Sequence, residues 1–415
     1  MSDPTFGISI TRIDNEPRPA VWSDMSVVGL IGTAPNASAD VFPLDTPVFM
    51  YSDDAAKRTA LGSQGTIPDA LNLINAQLGE FQVAAKVVVV RVEEGDTTAE
   101  TIASIVGDGI STGLEAFVQA GPLLGVIPRL ICAPGFTSQR TGTDANAVCA
   151  ALPAICNKLL AHAVVDGPAT TEQAAIDWRE TISSSRLIPV DPAVRVMAGS
   201  EVAIMPLSPA VIGIGVRRDH EKQGRPFHSW ANQPAQGIVG PSRPIGFSLT
   251  DGATEGQRLL SHNVGVLLRG ELGVETAIAS GGFVFVGTDN AGEDDLWRFY
   301  NVTRGRDYIH LMFLRTLRFY LGRFNLTGQT IQAVLNTMGF AMRDLKADGD
   351  ILGYEVKFTR DQNSAEELRQ GRFTVNFAAE EAPVLRYLGI QSARYRPALD
   401  ALLDDLLAQV DAVTG

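Results

Sequence analysis

The sequence predicts a multidomain protein of mixed class: an α/β portion followed by an α+β portion, with an extended arm at each end. Three observations carry this reading. The chain has 415 residues, more than the roughly 250–300 that a single core organises. Between residues 97 and 210, short β-branched runs alternate with helix-like segments, the rhythm of a parallel or mixed sheet with right-handed crossovers. After residue 255 the rhythm changes to long helical patterns followed by two alternating strands.

In chain order, residues 1–22 show alternation at Ile8, Ile10 and Ile13, then Pro17 and Pro19, and almost no helical spacing. Such a segment makes an extended arm without a core of its own. Residues 23–96 are expected to form a β-rich domain around the buried strands "SVVGLIGTAP" and "AAKVVVVRVEE", with helices at "AAKRTALG" and "IPDALNLINAQL". Residues 97–254 form the α/β domain, with strands at "PRLICAPG", "HAVVDGP" and "RLIPVDPAVRV" and helices between them. Gly and Pro dominate its end, 213–252, which reads as irregular and longer than an ordinary connection. Residues 255–395 form the last domain, in which "YEVKFTRD" and "GRFTVNFAAE" read as paired strands. Residues 396–415 repeat Leu at i, i+3, i+4 and i+7 behind Pro397 at a helix start, an amphipathic tail that must dock somewhere.

Composition narrows the function. A hydrophobic fraction of 45% supplies ample core. With 34 Lys+Arg against 47 Asp+Glu, the net charge of −13 argues against direct nucleic-acid binding, which needs an extended basic surface. No apolar run reaches the roughly 18 residues of a membrane span, since Arg91 interrupts even "VVVVRV". Cys132, Cys149 and Cys156 lack metal or disulfide spacing and read as buried reduced thiols.

The motifs of cofactor and nucleophile chemistry are missing. "GLIGTAP" and "GIGVRR" lack the third glycine of a dinucleotide fingerprint, and there is no phosphate loop, His-Glu-x-x-His or Gly-x-Ser-x-Gly. No cofactor, metal or catalytic residue is assigned. Five histidines, His162, His220, His228, His262 and His310, do not pair at ligand spacing. Asp166 stands at a strand's carboxyl end, where α/β folds place ligands, and is equally the turn-former that Asp-Gly-Pro dictates.

One segment contradicts the overall acidity. From Arg298 to Arg323 there are six Arg and one acid, Asp307. Ile309, Met312, Phe313, Leu317 and Tyr320 give this helix a core stripe, with Arg315 and Arg318 off it. Either the arginines pair with nearby acids, or a cationic edge meets a negative partner surface.

The order of motifs resembles the tail sheath proteins of contractile phage tails and contractile injection systems over nearly the whole chain. The matching stretches include "SVVGLIGTAP", "PRLICAPG", "HAVVDGPATTEQAAIDWRETISSSRLIPVDPAVRV", "PAVIGIGVRRDHEKQGRPFHSWANQPAQGIVG", "FYNVTRGRDYIHLMFLRTLRFYLGRFN" and "RFTVNFAAEEAPVLRYLGIQSARY". It departs from the family pattern at Ser229, Trp230, Ala231 and Asn232, and at Phe6, Gly7 and Ile8. The resemblance implies a structural, non-enzymatic protein with an outer subtilisin-like sheath domain and an inner C-terminal domain facing the tail tube. It would assemble with itself, as hexameric rings in a helical lattice, and with the inner tail tube, baseplate and tail terminator proteins. Made in the host bacterial cytoplasm, it would reside in the virion tail and contract to drive the tube through a bacterial envelope for genome or effector delivery.

The resemblance also proposes surfaces. Arg304, Arg306, Arg315, Arg318, Arg343 and Lys346 are tube-facing candidates. Ile8, Ile10, Ile13, Ile390 and Tyr395 are candidates for arm contacts between subunits, and Val356, Phe358, Phe373, Val375 and Phe377 for the sheet that receives them. The competing expectations are an α/β hydrolase or dehydrogenase with a ligand at Asp166 or the 213–252 loop, and an oligomeric shell protein that does not contract.

Overall fold

The structure, a computed structural model, describes residues 20–79 and 84–414. Ile8, Ile10 and Ile13 lie outside the described residues. The chain divides into two units, Met1–Pro383 and Val384–Gly415.

In the first unit, strands β1 (Val28–Gly32), β2 (Pro47–Tyr51), β3 (Lys86–Arg91), β4 (Leu130–Cys132), β5 (His162–Asp166) and β6 (Leu187–Val190) form one sheet in the order β2-β3-β1-β4-β5-β6. All pairings are parallel except that of β2 with β3. Between the strands run helices α1 (Ala55–Leu61), α2 (Thr66–Leu78), α3 (Thr98–Val106), α4 (Ala116–Leu124), α5 (Ala147–Leu159) and α6 (Glu172–Arg179). Successive strand residues point to opposite faces. Val28, Leu30, Val87 and Val89 accordingly join one core with α2 residues Ile67, Leu71 and Ile74. Ile31, Val88 and Val90 join the other with Phe117 of α4 and Val148 and Leu152 of α5. Burial on both faces is why these strands read as unbroken apolar runs.

Two expectations are corrected here. A boundary at residue 96 does not separate domains, because β1 pairs with β3 on one side and β4 on the other. Nor is the 213–252 stretch irregular throughout, since α7 (Ser208–Glu221) carries "GIGVRR" inside a buried helix. Its glycines serve close packing. A Cβ on Gly213 would stand 2.8 Å from Gln77 Cγ of α2, and one on Gly215 would stand 2.7 Å from the Trp230 ring.

Around this sheet, β7 (Val194–Ala198) and β8 (Glu201–Met205) form an antiparallel pair, and β9 (Gln233–Pro234) and β10 (Gly240–Pro241) are short additions. The order β10-β7-β8 makes one small sheet. After α8 (Glu255–Ser261), β11 (Val266–Arg269) and β12 (Phe283–Val286) pair antiparallel, with β9 on the other side of β12. Helices α9 (Tyr300–Leu317) and α10 (Gly328–Ala347) then build a separate core from Ile309, Met312, Phe313, Val334, Met338 and Met342. Strands β13 (Ile351–Lys357) and β14 (Asn376–Glu381), with α11 (Ala365–Arg369) in their connection, lean on it as a two-stranded antiparallel sheet.

The second unit runs from Val384 without regular structure to α12 (Pro397–Thr414). No helix among the described residues is long and apolar enough to cross a membrane.

Candidate interaction surfaces

The cations of α9 divide by position on the helix. Arg304 is fully buried, donates to both carboxylate oxygens of Asp219, and stacks over the Trp230 ring at 4.8 Å. Arg304 therefore cannot present its charge to a tube, which corrects that expectation. It shares the inward face with Tyr300 and Asp307, and a guanidinium there must be paired to be tolerated. Arg306 forks onto Glu381, at 2.6 and 2.9 Å, and donates to the Ala379 carbonyl, tying α9 to β14. Arg186 forms an ion pair with Asp307, the one acid of the cluster. Arg315, Arg318 and Arg323 lie at the far end and are exposed, as are Arg343 and Lys346 on α10. Of the exposed set, Arg315 donates to the Trp22 carbonyl at 3.0 Å.

The β13–β14 hairpin places Val356 opposite Phe377. Phe377 meets Phe313 at 4.9 Å between ring centroids, so its side chain anchors the hairpin to α9. Val356, Phe373 and Val375 pack partly against the same core, whereas Phe358 is 38% exposed. These side chains hold the hairpin in place, and its backbone edges carry no third strand among the described residues.

The second unit exposes many large apolar side chains. Leu385, Tyr387, Leu388, Ile390 and Tyr395 are all at least 72% exposed. On α12, Leu399, Leu402, Leu403, Leu406, Leu407 and Val410 expose one continuous stripe. Asp400, Asp404 and Asp405 stand beside it, with no Lys or Arg in the helix.

The groups weighed for catalysis are occupied structurally. Asp166 accepts from the Ser208 amide at 2.7 Å and the Ser208 hydroxyl at 2.5 Å, holding the start of α7. Burial raises its pKa to about 6 despite those bonds. His162 is buried beside Arg186 and Arg304, and desolvation and their charges hold it neutral. His228 is lowered to about 4, mainly by burial. All three cysteines are buried and free, and desolvation raises each thiol, Cys156 to about 12. Among the described residues no cluster of His, Cys, Asp and Glu could hold a metal ion.

One surface escaped sequence reasoning. Leu160, His310, Phe313, Leu314, Leu317 and Leu321 line an apolar groove along the end of α9, with Arg318 on its rim. Its signal was present in the helical spacing of Leu314, Leu317 and Leu321, which the core stripe of the same helix obscured.

No family model matches the chain. It is 27% identical over 383 residues to a prophage major tail sheath protein of Pseudomonas aeruginosa, covering 91% of this chain and 93% of that one. Identity to the tail sheath protein of Escherichia phage P2 is 26% over 406 residues, covering 94% and 96%. The fold is similar to the helical sheath of the anti-feeding prophage in its contracted state, with a TM-score of 0.68 at 16% identity, covering 95% of this chain and all of that one. The chain is thus similar over nearly its whole length to tail sheath proteins, and it shares the fold of contractile sheath subunits.

Proposed function

We propose that the subunits polymerise helically around an inner tail tube and are knitted together by strand exchange, and that their contraction drives the tube through a bacterial envelope. The single observation that carries this is the pairing of an incomplete sheet with a spare segment. The β13–β14 hairpin has two strands only, while the second unit offers an extended run with large exposed side chains at Leu385, Tyr387 and Leu388. An unpaired strand edge is a template for another chain, and an extended segment added there gains backbone hydrogen bonds. A head-to-tail contact of this kind does not close on itself and builds an open helix. Ile390 and Tyr395, with residues 1–22, are the proposed donors.

In this reading residues 23–254 form the outer, subtilisin-like portion, residues 255–395 the inner one, and residues 396–415 a tail. Arg315, Arg343 and Lys346 are the proposed contacts with the tube. Baseplate and terminator proteins would cap the polymer, which assembles in the host cytoplasm. The energy of contraction would lie in subunit packing: two packings of one sequence differ by a few kcal/mol, and many copies sum that gain without a nucleotide.

The test is deletion of Val384–Gly415, followed by sedimentation velocity and negative-stain electron microscopy. All four apolar cores lie before residue 384, so the remaining chain is expected to unfold at an unchanged midpoint. The full chain should form wide-bored tubes or stacked rings, and the truncated chain only small particles. Tubes of the same kind from the truncated chain would overturn strand exchange through this segment.

A further inference from the structure

We propose that the apolar groove at the end of α9 receives α12 from a second copy of this chain, with the leucine stripe facing down and the acidic edge against Arg318. The groove is a built apolar surface in the wrong solvent, since Leu314 is 62% and Leu321 79% exposed although both continue the apolar side of α9. Its walls come from two parts of the chain, Leu160 after α5 and the His310–Leu321 stretch of α9 and the turn after it.

Charge selects the occupant. Arg318 lines the groove, and no acid occurs between Tyr308 and Asn325. α12 has the reciprocal surface: six large aliphatic residues on one stripe, Asp400 and Asp404 along one border of it, Asp405 off the other, and no cation from Pro397 to Thr414. Residues 1–19 are a poorer match, because they mix Arg12 and Arg18 with Asp3, Asp14 and Glu16. Helix-in-groove recognition uses this i, i+3, i+4, i+7 pattern of anchors, and complementary rim charges fix its register.

Position favours a neighbour's helix. His310 and Phe313 line the groove and also touch Phe377 of β14, at 5.8 and 4.9 Å between ring centroids. The groove is thus continuous with the hairpin proposed to receive a neighbour's 384–396 segment, after which α12 follows directly. The inference rests on that strand-exchange reading and extends it from the backbone pairing to the helix behind it.

Disulfide trapping between two populations, each with one added cysteine, tests it. Leu321→Cys chains are mixed with Leu403→Cys chains, assembled, oxidised and run on a non-reducing gel, with electron microscopy of the same samples. Buried Cys132, Cys149 and Cys156 stay out of the reaction. Mixed covalent dimers are expected, with few from Asp405→Cys, which lies off the stripe. Arg318→Asp should lower the yield about 2- to 5-fold, the range of an exposed ion pair, and Arg318→Asp with Asp404→Arg in the partner should restore it. Tubes without the mixed dimer, or equal trapping by Asp405→Cys, would overturn the docking. So would trapping confined to a chain carrying both cysteines. Mixed dimers without tubes would leave the docking standing and overturn the polymer reading, and the absence of both would overturn both.

Discussion

The Arg304 guanidinium and the Asp219 carboxylate are joined by two hydrogen bonds, one of 3.1 Å from Nη1 to Oδ1, and neither side chain reaches solvent. Asp219 ends the buried face of α7 and Arg304 lies in the second turn of α9. Arg304 also donates to the Met25 carbonyl, and the Ser26 hydroxyl donates to Asp219. The pair thereby fastens α9, α7 and the Met25–Ser26 segment at one point. Burial raises the Asp219 pKa even though Arg304 opposes it, so the carboxylate depends on its partner to remain charged.

Removing one partner should therefore cost far more than replacing both. Arg304→Met is expected to destabilise the fold by about 3–5 kcal/mol, the cost of an unpaired buried charge. Arg304→Met combined with Asp219→Leu should recover most of that loss. Urea unfolding of the two variants provides the comparison, and equal losses would show that packing around Trp230, not charge, sets the cost.

Asp166 predicts a pH dependence of stability. Its folded pKa is raised from 3.8 to about 6, chiefly by burial. Between those values the folded chain holds a proton that the unfolded chain has released, so stability falls as pH rises through this window and stays lower above it. The amplitude is on the order of 2–3 kcal/mol. Asp191 and Asp219 shift in the same direction, so the informative quantity is a difference. The unfolding free energy of Asp166→Asn should fall less steeply between pH 4 and 6 than that of the parent chain. Parallel slopes would show that Asp166 titrates normally.

Gly215 predicts that a better helix former weakens a helix. Ala exceeds Gly in a helix interior by about 1 kcal/mol. At this position the added Cβ would stand 2.7 Å from Trp230, whose ring is held between Gly215, Tyr300 at 4.7 Å and Arg304 at 4.8 Å. Overpacking of this kind costs about 1–3 kcal/mol. Gly215→Ala should lower the denaturation midpoint, whereas Gly339→Ala on α10, where nothing lies within 4 Å, should raise it slightly. A gain in both would show that the tryptophan can move aside.

The strands and helices were legible where one periodicity ruled. β1, β3 and β5 are short apolar runs bounded by turn residues, and α12 displays its stripe openly. Domain limits were harder, because a sheet that crosses residue 96 leaves no mark in local composition. "GIGVRR" was misread because glycine reports backbone freedom locally, while its role in α7 is the close approach of Gln77 and Trp230 from distant positions. The same limit applied to the arginines. Their number predicted an electrostatic role, but only the partners at Asp219 and Glu381, 85 and 75 residues away, decide which of them are spent inside.

The tube contact proposed for Arg343 and Lys346 predicts a salt-sensitive grip. Arg343 and Lys346 lie one turn apart on α10 and are exposed, whereas Met338, Ala341, Met342 and Leu345 are buried. Arg343 is braced over the Phe340 ring at 4.6 Å, which holds its charge outward. Exposed ion pairs contribute about 0.2–1 kcal/mol each, weak enough to release when subunits move and strong enough when summed over a lattice. Arg343→Glu with Lys346→Glu should leave the unfolding midpoint nearly unchanged, since neither side chain is buried. Co-sedimentation with purified tubes should weaken about 2- to 5-fold per site. Raising salt from 0.15 to 1 M shortens the screening length from about 8 to 3 Å, so it should loosen the parent sheath more than the variant. Unchanged co-assembly at every salt concentration would remove these residues from the proposed tube contact.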